Sequence, residues 1–318
     1  MDRPSARPPL CLSFTMRRGF TTYDAEMVFV ALIWGGNFSA SKLAMTQLPP
    51  LSFSGIRFAL AALLLWLIAR RARVMTALPR RTFWGLVGLG VLGNTLYQSV
   101  FMTGLSMTSA TNSSMIVASL PVVVALLATL FGIERAGAAT WAGVVLATAG
   151  VALVVTARGV QFSAASFRGD LLVLFAIICW AGYTVGVRRV GAGVNPLQIT
   201  VITTVAGTPG LVLLGTPGLL REDWSRLTPQ TWGALAYAAL LALVLCYVLY
   251  NRAVQAIGTA RTAIYNCLVP LVAMAIAWLT LGEVPTGLQF VGVALVIAGV
   301  LVSITAQHLE SAPAVVPE

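Results

Sequence analysis

Charge is what this sequence has least of. Asp, Glu, Lys and Arg make up only 9% of its 318 residues, against about a quarter in a soluble domain. Too little charge remains to coat a water-facing surface, which excludes a soluble globular protein. Histidine is nearly missing as well: the single one, His308, lies in the C-terminal tail. There is no HExxH, no GxSxG, no P-loop and no cluster of acids with histidine, so the chain reads as a non-enzyme without metal or cofactor. Cys11, Cys179, Cys246 and Cys267 show no metal-ligand spacing, and three of the four lie in apolar runs as small fillers. The basic residues, 20 against 10 acidic, form no stripe interleaved with aromatics. Nucleic acid is therefore not an expected partner; a lipid bilayer and a small-molecule substrate are.

What is present is apolar: 58% of residues belong to the hydrophobic set and the mean hydropathy is +0.89. About twenty such residues cross a bilayer as a helix. Ten runs qualify: 26–46, 51–69, 83–104, 108–131, 138–156, 170–187, 197–215, 231–251, 259–281 and 286–305. None alternates in the manner of a barrel strand. The expected fold is all-α and polytopic, with ten transmembrane helices. The stretch 1–25, basic and proline-containing, has no apolar core long enough for a secretory signal and reads as a cytoplasmic tail, with Met16 an alternative start. Residues 306–318 form a second tail. If the N-terminus is inside, 14 Lys and Arg fall on the cytoplasmic side and five outside, with Arg57 within the second run. That bias places both termini in the cytoplasm of a bacterial inner membrane.

The chain also repeats itself. "IWGGNFSASKLAMTQLPPL" (33–51) aligns without a gap on "CWAGYTVGVRRVGAGVNPL" (179–197). Trp34 falls on Trp180, Lys42 on Arg188 and Pro50 on Pro196. Farther on, 119–155 aligns on 268–304, pairing Pro121 with Pro270, Glu134 with Glu283, Gly143 with Gly292 and Gly150 with Gly299. Each half (26–156 and 170–305, joined by a polar linker, 157–169) holds five spans. Five is odd, so the second half is inverted relative to the first, the architecture on which alternating access is commonly built.

The Trp-Gly-x-Asn opening of the first run, "RF" in the second, and "PVVVALLATLFGIERAGAATWAGVVLATAGV" with its echo resemble the EamA-type family of the drug/metabolite transporter superfamily. The resemblance runs from about residue 26 to 305. It implies ten helices and export of small metabolites, amino acids among them, without fixing the substrate or the oligomeric state.

Polar residues inside apolar runs are costly and mark pathways. Arg57 lies seven residues into its run, roughly 10 Å deep at 1.5 Å per residue, and is the sharpest candidate to meet a substrate carboxylate. Lys42 admits two readings, a pathway cation or a side chain snorkelling to the headgroups. Arg261 and Tyr265, four residues apart, share a face at the start of the ninth run. Amides and aromatics recur in both halves: Trp34, Asn37, Tyr97, Gln98 and Asn112 in the first, Trp180, Tyr183, Tyr250, Asn251 and Asn266 in the second. Together they are expected to line a central cavity, the aromatics flanking an apolar or aromatic side chain. Pro121 and Pro270, near mid-run, are expected hinges that free a backbone carbonyl. No Asp or Glu lies deep in any run, so transport is expected to be facilitative. The alternatives are a proton-coupled exporter of drugs or other metabolites and, outside transport, a receptor or scaffold.

Overall fold

The computed structural model describes residues 20–107, 113, 116–117, 119–134, 137–157, 164–281 and 285–310. Among the described residues every regular element is helical. Helix α1 (Thr22–Ala44) opens with a capping box: Thr21 accepts from the Asp24 amide, while the Asp24 carboxylate accepts from the Thr21 amide. That cap starts the helix four residues before the apolar run does. Proline at the first turn, where an N–H is dispensable, opens α2 (Pro50–Arg71) and α7 (Pro196–Leu219). Helix α3, 80–107, contains a π-helical segment, Val91–Leu96. Next come α4 (Leu120–Leu130), α5 (Ala138–Thr156) and α6 (Ala164–Val190). The last residues of the expected linker thus belong to α6. Helix α8 (Pro229–Ile257) contains a second π-helical segment, Ala238–Leu245. Gly258, at φ +87°, allows the chain to turn directly into α9, 259–281. Helix α10 (Gly287–Glu310) extends beyond the expected end of its span.

Among the described residues, six helices are long and apolar enough to cross a membrane: α2, α5, residues 167–190 of α6, α7, α8 and the first part of α9. Leu120–Leu130 and Gly287–Ser303 are shorter apolar helices. The surface carries large hydrophobics such as Leu130, Leu213 and Leu279, whereas Asn94, Asn251 and Thr204 are fully buried. This polarity is inside out for water and appropriate for lipid. The long apolar helices and that surface together make the chain a multi-pass membrane protein.

The most extensive packing joins α5 to α10, α3 to α6 and α2 to α7, followed by α1 on α8 and α3 on α7. Small residues bring the first pair together. A Cβ on Gly143 or Gly150 would stand 2.7 Å from the carbonyl oxygen of Gly299 or Gly292, respectively. Both expected hinge prolines follow a break in their helix. Pro121 sits in the first turn of α4, behind a turn in which the Ser119 amide bonds the Ile116 carbonyl at 3.0 Å. Pro270 follows a 3-10 turn, Tyr265–Cys267. Pro121 therefore lies at a helix start rather than within a continuous helix.

Candidate functional site: a central cavity with a buried arginine

A cavity of about 340 Å³ lies between the helices and draws its lining from both halves of the chain. That volume is at the small-ligand end of the 300–1,000 Å³ typical of binding pockets. Trp34 and Asn37 of α1, Arg57 of α2, Tyr97 and Gln98 of α3, Trp180 of α6 and Asn266 and Pro270 of α9 all reach it. Eight residues singled out from the sequence are thus brought to one place. Tyr247 of α8 joins them.

Trp180 is the hub of the aromatic wall. Its ring lies 5.0 Å from Tyr97, 5.5 Å from Tyr247 and 6.2 Å from Trp34, centroid to centroid. Trp34 is oriented by its indole N–H, which donates to the Ala242 carbonyl at 3.0 Å. Ala242 belongs to the π-helical segment of α8, where the altered register turns a backbone carbonyl toward a side chain. The matching segment of α3 presents Asn94, which donates to the Thr203 carbonyl at 2.8 Å.

Arg57 is only 3% exposed. Its Nη2 donates to Gln98 Oε1 at 2.8 Å, and its guanidinium lies 5.0 Å from the Phe53 ring and 5.7 Å from that of Phe58. Among the described residues it has no carboxylate partner, and its Nε, buried, makes no hydrogen bond. Asn37 Oδ1 and Ser41 Oγ are likewise buried without a partner. Both residues also line the cavity. A buried cation beside an aromatic wall is chemically able to receive an anionic group attached to an apolar body.

The remaining sequence candidates lie elsewhere. Tyr183, Tyr250 and Asn251 stand behind the wall in a buried network: Tyr183 donates to Asn251 Oδ1 at 3.0 Å, Asn251 donates to Thr200 at 3.0 Å, and the Tyr250 and Thr184 hydroxyls are 2.8 Å apart. Lys42 belongs to α1, but its side chain lies outside the described residues, as does Asn112 entirely.

Arg261 and Tyr265 do not line the cavity. Arg261 donates to Asp24 from Nε at 2.9 Å and from Nη2 at 2.7 Å, and the Tyr265 hydroxyl adds a bond of 2.7 Å. Asp24 is fully buried, so the N-terminal ends of α1 and α9 are joined by an ion pair shielded from solvent. The acid was missed because the apolar run begins at residue 26; the Thr21–Asp24 capping box was the signal that could have found it. Glu134, just past α4, accepts from the Thr259 amide at 2.9 Å and pairs with Arg188 at 3.4 Å. Glu26 pairs with Arg252 at 3.5 Å. These three pairs gather where α1 and α9 begin and α4, α6 and α8 finish. The cavity lies toward the opposite end: its lining runs from Trp34 in α1 to Met45 just past that helix, and it includes Val154 near the end of α5 and Gln289 near the start of α10.

Ion pairs thus gather at one end and a polar-centred cavity lies toward the other. The model of the EamA-like transporter family matches residues 24–156 and again 167–305, and the chain belongs to that family. It is 30% identical over 286 residues to an uncharacterized transporter of Archaeoglobus fulgidus, covering 89% of this chain and 97% of that one. It is 28% identical to a protein of Salmonella typhimurium named "probable amino-acid metabolite efflux pump", covering 87% and 93% of the two chains. A protein crystal structure superposes with a TM-score of 0.74 at 18% identity, over 90% of this chain and 98% of the other, which shows a shared fold.

Proposed function

We propose that this protein exports small organic metabolites, amino acids foremost among them, across a bacterial cytoplasmic membrane by alternating access. The single observation that carries this reading is Arg57, a buried guanidinium without a counter-acid among the described residues, in a cavity built by both halves. A substrate carboxylate completes that site, and the ring cluster around Trp180 receives an apolar or aromatic side chain. The name of the Salmonella relative favours amino-acid metabolites.

The chain crosses the membrane ten times as two inverted five-helix repeats with both termini cytoplasmic. The two matches to one family model support this, as do the matched π-helical segments in α3 and α8. The interrupted helices before Pro121 and Pro270 are matched as well, and discontinuous helices at equivalent places in two repeats are where carriers hold their substrates. In this orientation the ion pairs of Asp24, Glu134 and Glu26 close the cytoplasmic side, and the cavity faces outward. Transport is facilitative: Asp24, the acid fully buried in α1, is engaged by Thr21, Arg261 and Tyr265 rather than free to carry a proton.

Counterflow in proteoliposomes against a panel of amino acids tests the reading, with Arg57→Ala and Trp34→Ala in parallel. Saturable exchange weakened by both substitutions is expected. Exchange of amino acids that neither substitution alters would remove the cavity from the mechanism.

A further inference from the structure

The connection between α2 and α3 concentrates positive charge. Arg70, Arg71, Arg73, Arg80 and Arg81 fall within twelve residues, and all five are exposed. The sequence has no acidic residue between Glu26 and Glu134. Among the described residues none of the five pairs with a carboxylate, and the Arg70 guanidinium lies 5.1 Å from the Trp66 ring. Arg188, Arg252 and Arg261, toward the same end of the molecule, pair with Glu134, Glu26 and Asp24.

Local preference opposes several of these arginines. Helix α2 ends in a Schellman turn: the Val74 amide bonds the Ala69 carbonyl at 3.2 Å, and the Arg73 amide bonds the Arg70 carbonyl at 3.3 Å. The left-handed position of that turn, where glycine is usual, is occupied by Arg73 at φ +53°. Arg80 and Arg81 open α3, whose start has neither a side-chain cap nor an acidic residue. Two cations thus stand at the positive end of a helix dipole. The corner is also fixed in place. Gln198 of α7 donates to the Thr76 carbonyl at 2.7 Å and accepts from the Thr76 hydroxyl at 3.1 Å, while Val74 packs on Leu65, Ala69 and Val201. Charge bias across a membrane asks only for basic residues near this end of the spans. It accounts neither for an arginine at a glycine position nor for cations at a helix start, whereas an anion held at the corner accounts for both.

We propose that the α2–α3 corner binds the phosphate of an anionic phospholipid, phosphatidylglycerol being the simplest such headgroup. A lipid fits better than a soluble phosphate because the arginines directly follow the apolar span of α2 and precede that of α3. Trp66, Phe83 and Trp84, on the same two helices, are exposed large aromatics, the residues that favour headgroup depth. Guanidinium groups beside them meet phosphate oxygens in a bidentate fork, and clusters of about four to eight basic residues next to a span recognise anionic lipid. None of these residues lines the cavity, so the site is independent of what the protein transports.

Thermal melting of the full-length protein in a neutral detergent tests the proposal, with titrations of dioctanoyl phosphatidylglycerol, dioctanoyl phosphatidylcholine and glycerol 3-phosphate. Phosphatidylglycerol should raise the melting temperature saturably, and less so at high salt; the other two should not. Each arginine is worth about fivefold in affinity for an anionic lipid, so Arg80→Gln combined with Arg81→Gln should raise the half-saturating concentration about 25-fold. Arg73→Gly keeps four of the five charges and relieves the strained backbone. Its lipid-free form should therefore melt no lower than wild type, while phosphatidylglycerol binds about fivefold more weakly. Arg221→Gln, beyond the far end of α7, should leave binding unchanged. Equal effects of the two lipids, a response to glycerol 3-phosphate as strong as to phosphatidylglycerol, or lipid binding unaltered by Arg73→Gly and by the Arg80 and Arg81 substitutions would overturn the proposal. A loss as large with Arg221→Gln would overturn it as well, and none of these outcomes touches the proposed transport.

Discussion

Replacing Arg57 by Gln separates a structural cation from a functional one. The wild-type side chain makes one hydrogen bond, to Gln98 at 2.8 Å, and lies over Phe53 and Phe58. Losing a hydrogen bond to a charged group costs about 1.5–3 kcal/mol, and the cation–π contacts add about 0.5–2 kcal/mol. Against this stands the burial of an unpaired ion, a penalty of several kcal/mol that the neutral amide escapes. The terms nearly cancel, so Arg57→Gln should yield normal amounts of protein whose melting temperature in detergent falls by no more than about 4 °C. Binding has no such cancellation. Removing one partner of a buried charged pair costs about 2–5 kcal/mol, and 2 kcal/mol corresponds to about 30-fold in affinity. The half-saturating concentration for carboxylate counterflow should therefore rise at least about 30-fold, with Arg57→Lys intermediate because a point charge replaces the planar fork. A Gln variant that melts far lower, yet exchanges carboxylates with unchanged half-saturation, refutes the assignment and makes Arg57 a structural residue.

Three further outcomes are expected. Asp24→Asn leaves Arg261 buried without its counter-charge, so detergent melts should show a loss of about 3–5 kcal/mol; the double variant Asp24→Leu, Arg261→Met should recover most of it, and additive losses would count against the pair. Gly150→Leu forces a side chain onto the α10 backbone at Gly292 and should destabilise by about 1–3 kcal/mol, read as a lower melting temperature and reduced membrane yield. Initial rates of efflux should be equal with and without an imposed pH gradient, and strong stimulation by the gradient would contradict facilitative transport.

Much of the cavity was legible in the sequence because polar and aromatic residues stand out against apolar runs. Trp34, Asn37, Arg57, Tyr97, Gln98, Trp180 and Asn266 are conspicuous in that way, and helical spacing placed several of them on common faces. The same signal could not distinguish the cavity wall from the layer behind it. Tyr183, Tyr250 and Asn251 are satisfied across α6, α7 and α8, Tyr183 by Asn251, Asn251 by Thr200 and Tyr250 by Thr184, contacts that bridge 51 to 68 residues in sequence. Arg261 was read as a pathway cation because its partner, Asp24, lies 237 residues away and outside the apolar run. The π-helical segments of α3 and α8 had no compositional mark, since they follow from how each helix packs rather than from its own residues. Helix ends moved for a related reason: hydropathy locates the stretch that fits the bilayer, whereas caps such as Thr21 and Asn195 decide where the helix starts.

Access to the cavity tests the alternating-access account most directly. With Cys11, Cys179, Cys246 and Cys267 replaced by Ala, Ser39→Cys puts a single thiol on an exposed residue of the cavity lining. A membrane-impermeant maleimide should label it in right-side-out vesicles and not from the cytoplasmic face, and a transported carboxylate should slow the labelling. Labelling from the cytoplasmic face alone, or labelling from outside that no transported carboxylate slows, would contradict a substrate cavity open to the outside and closed by the Asp24, Glu26 and Glu134 ion pairs.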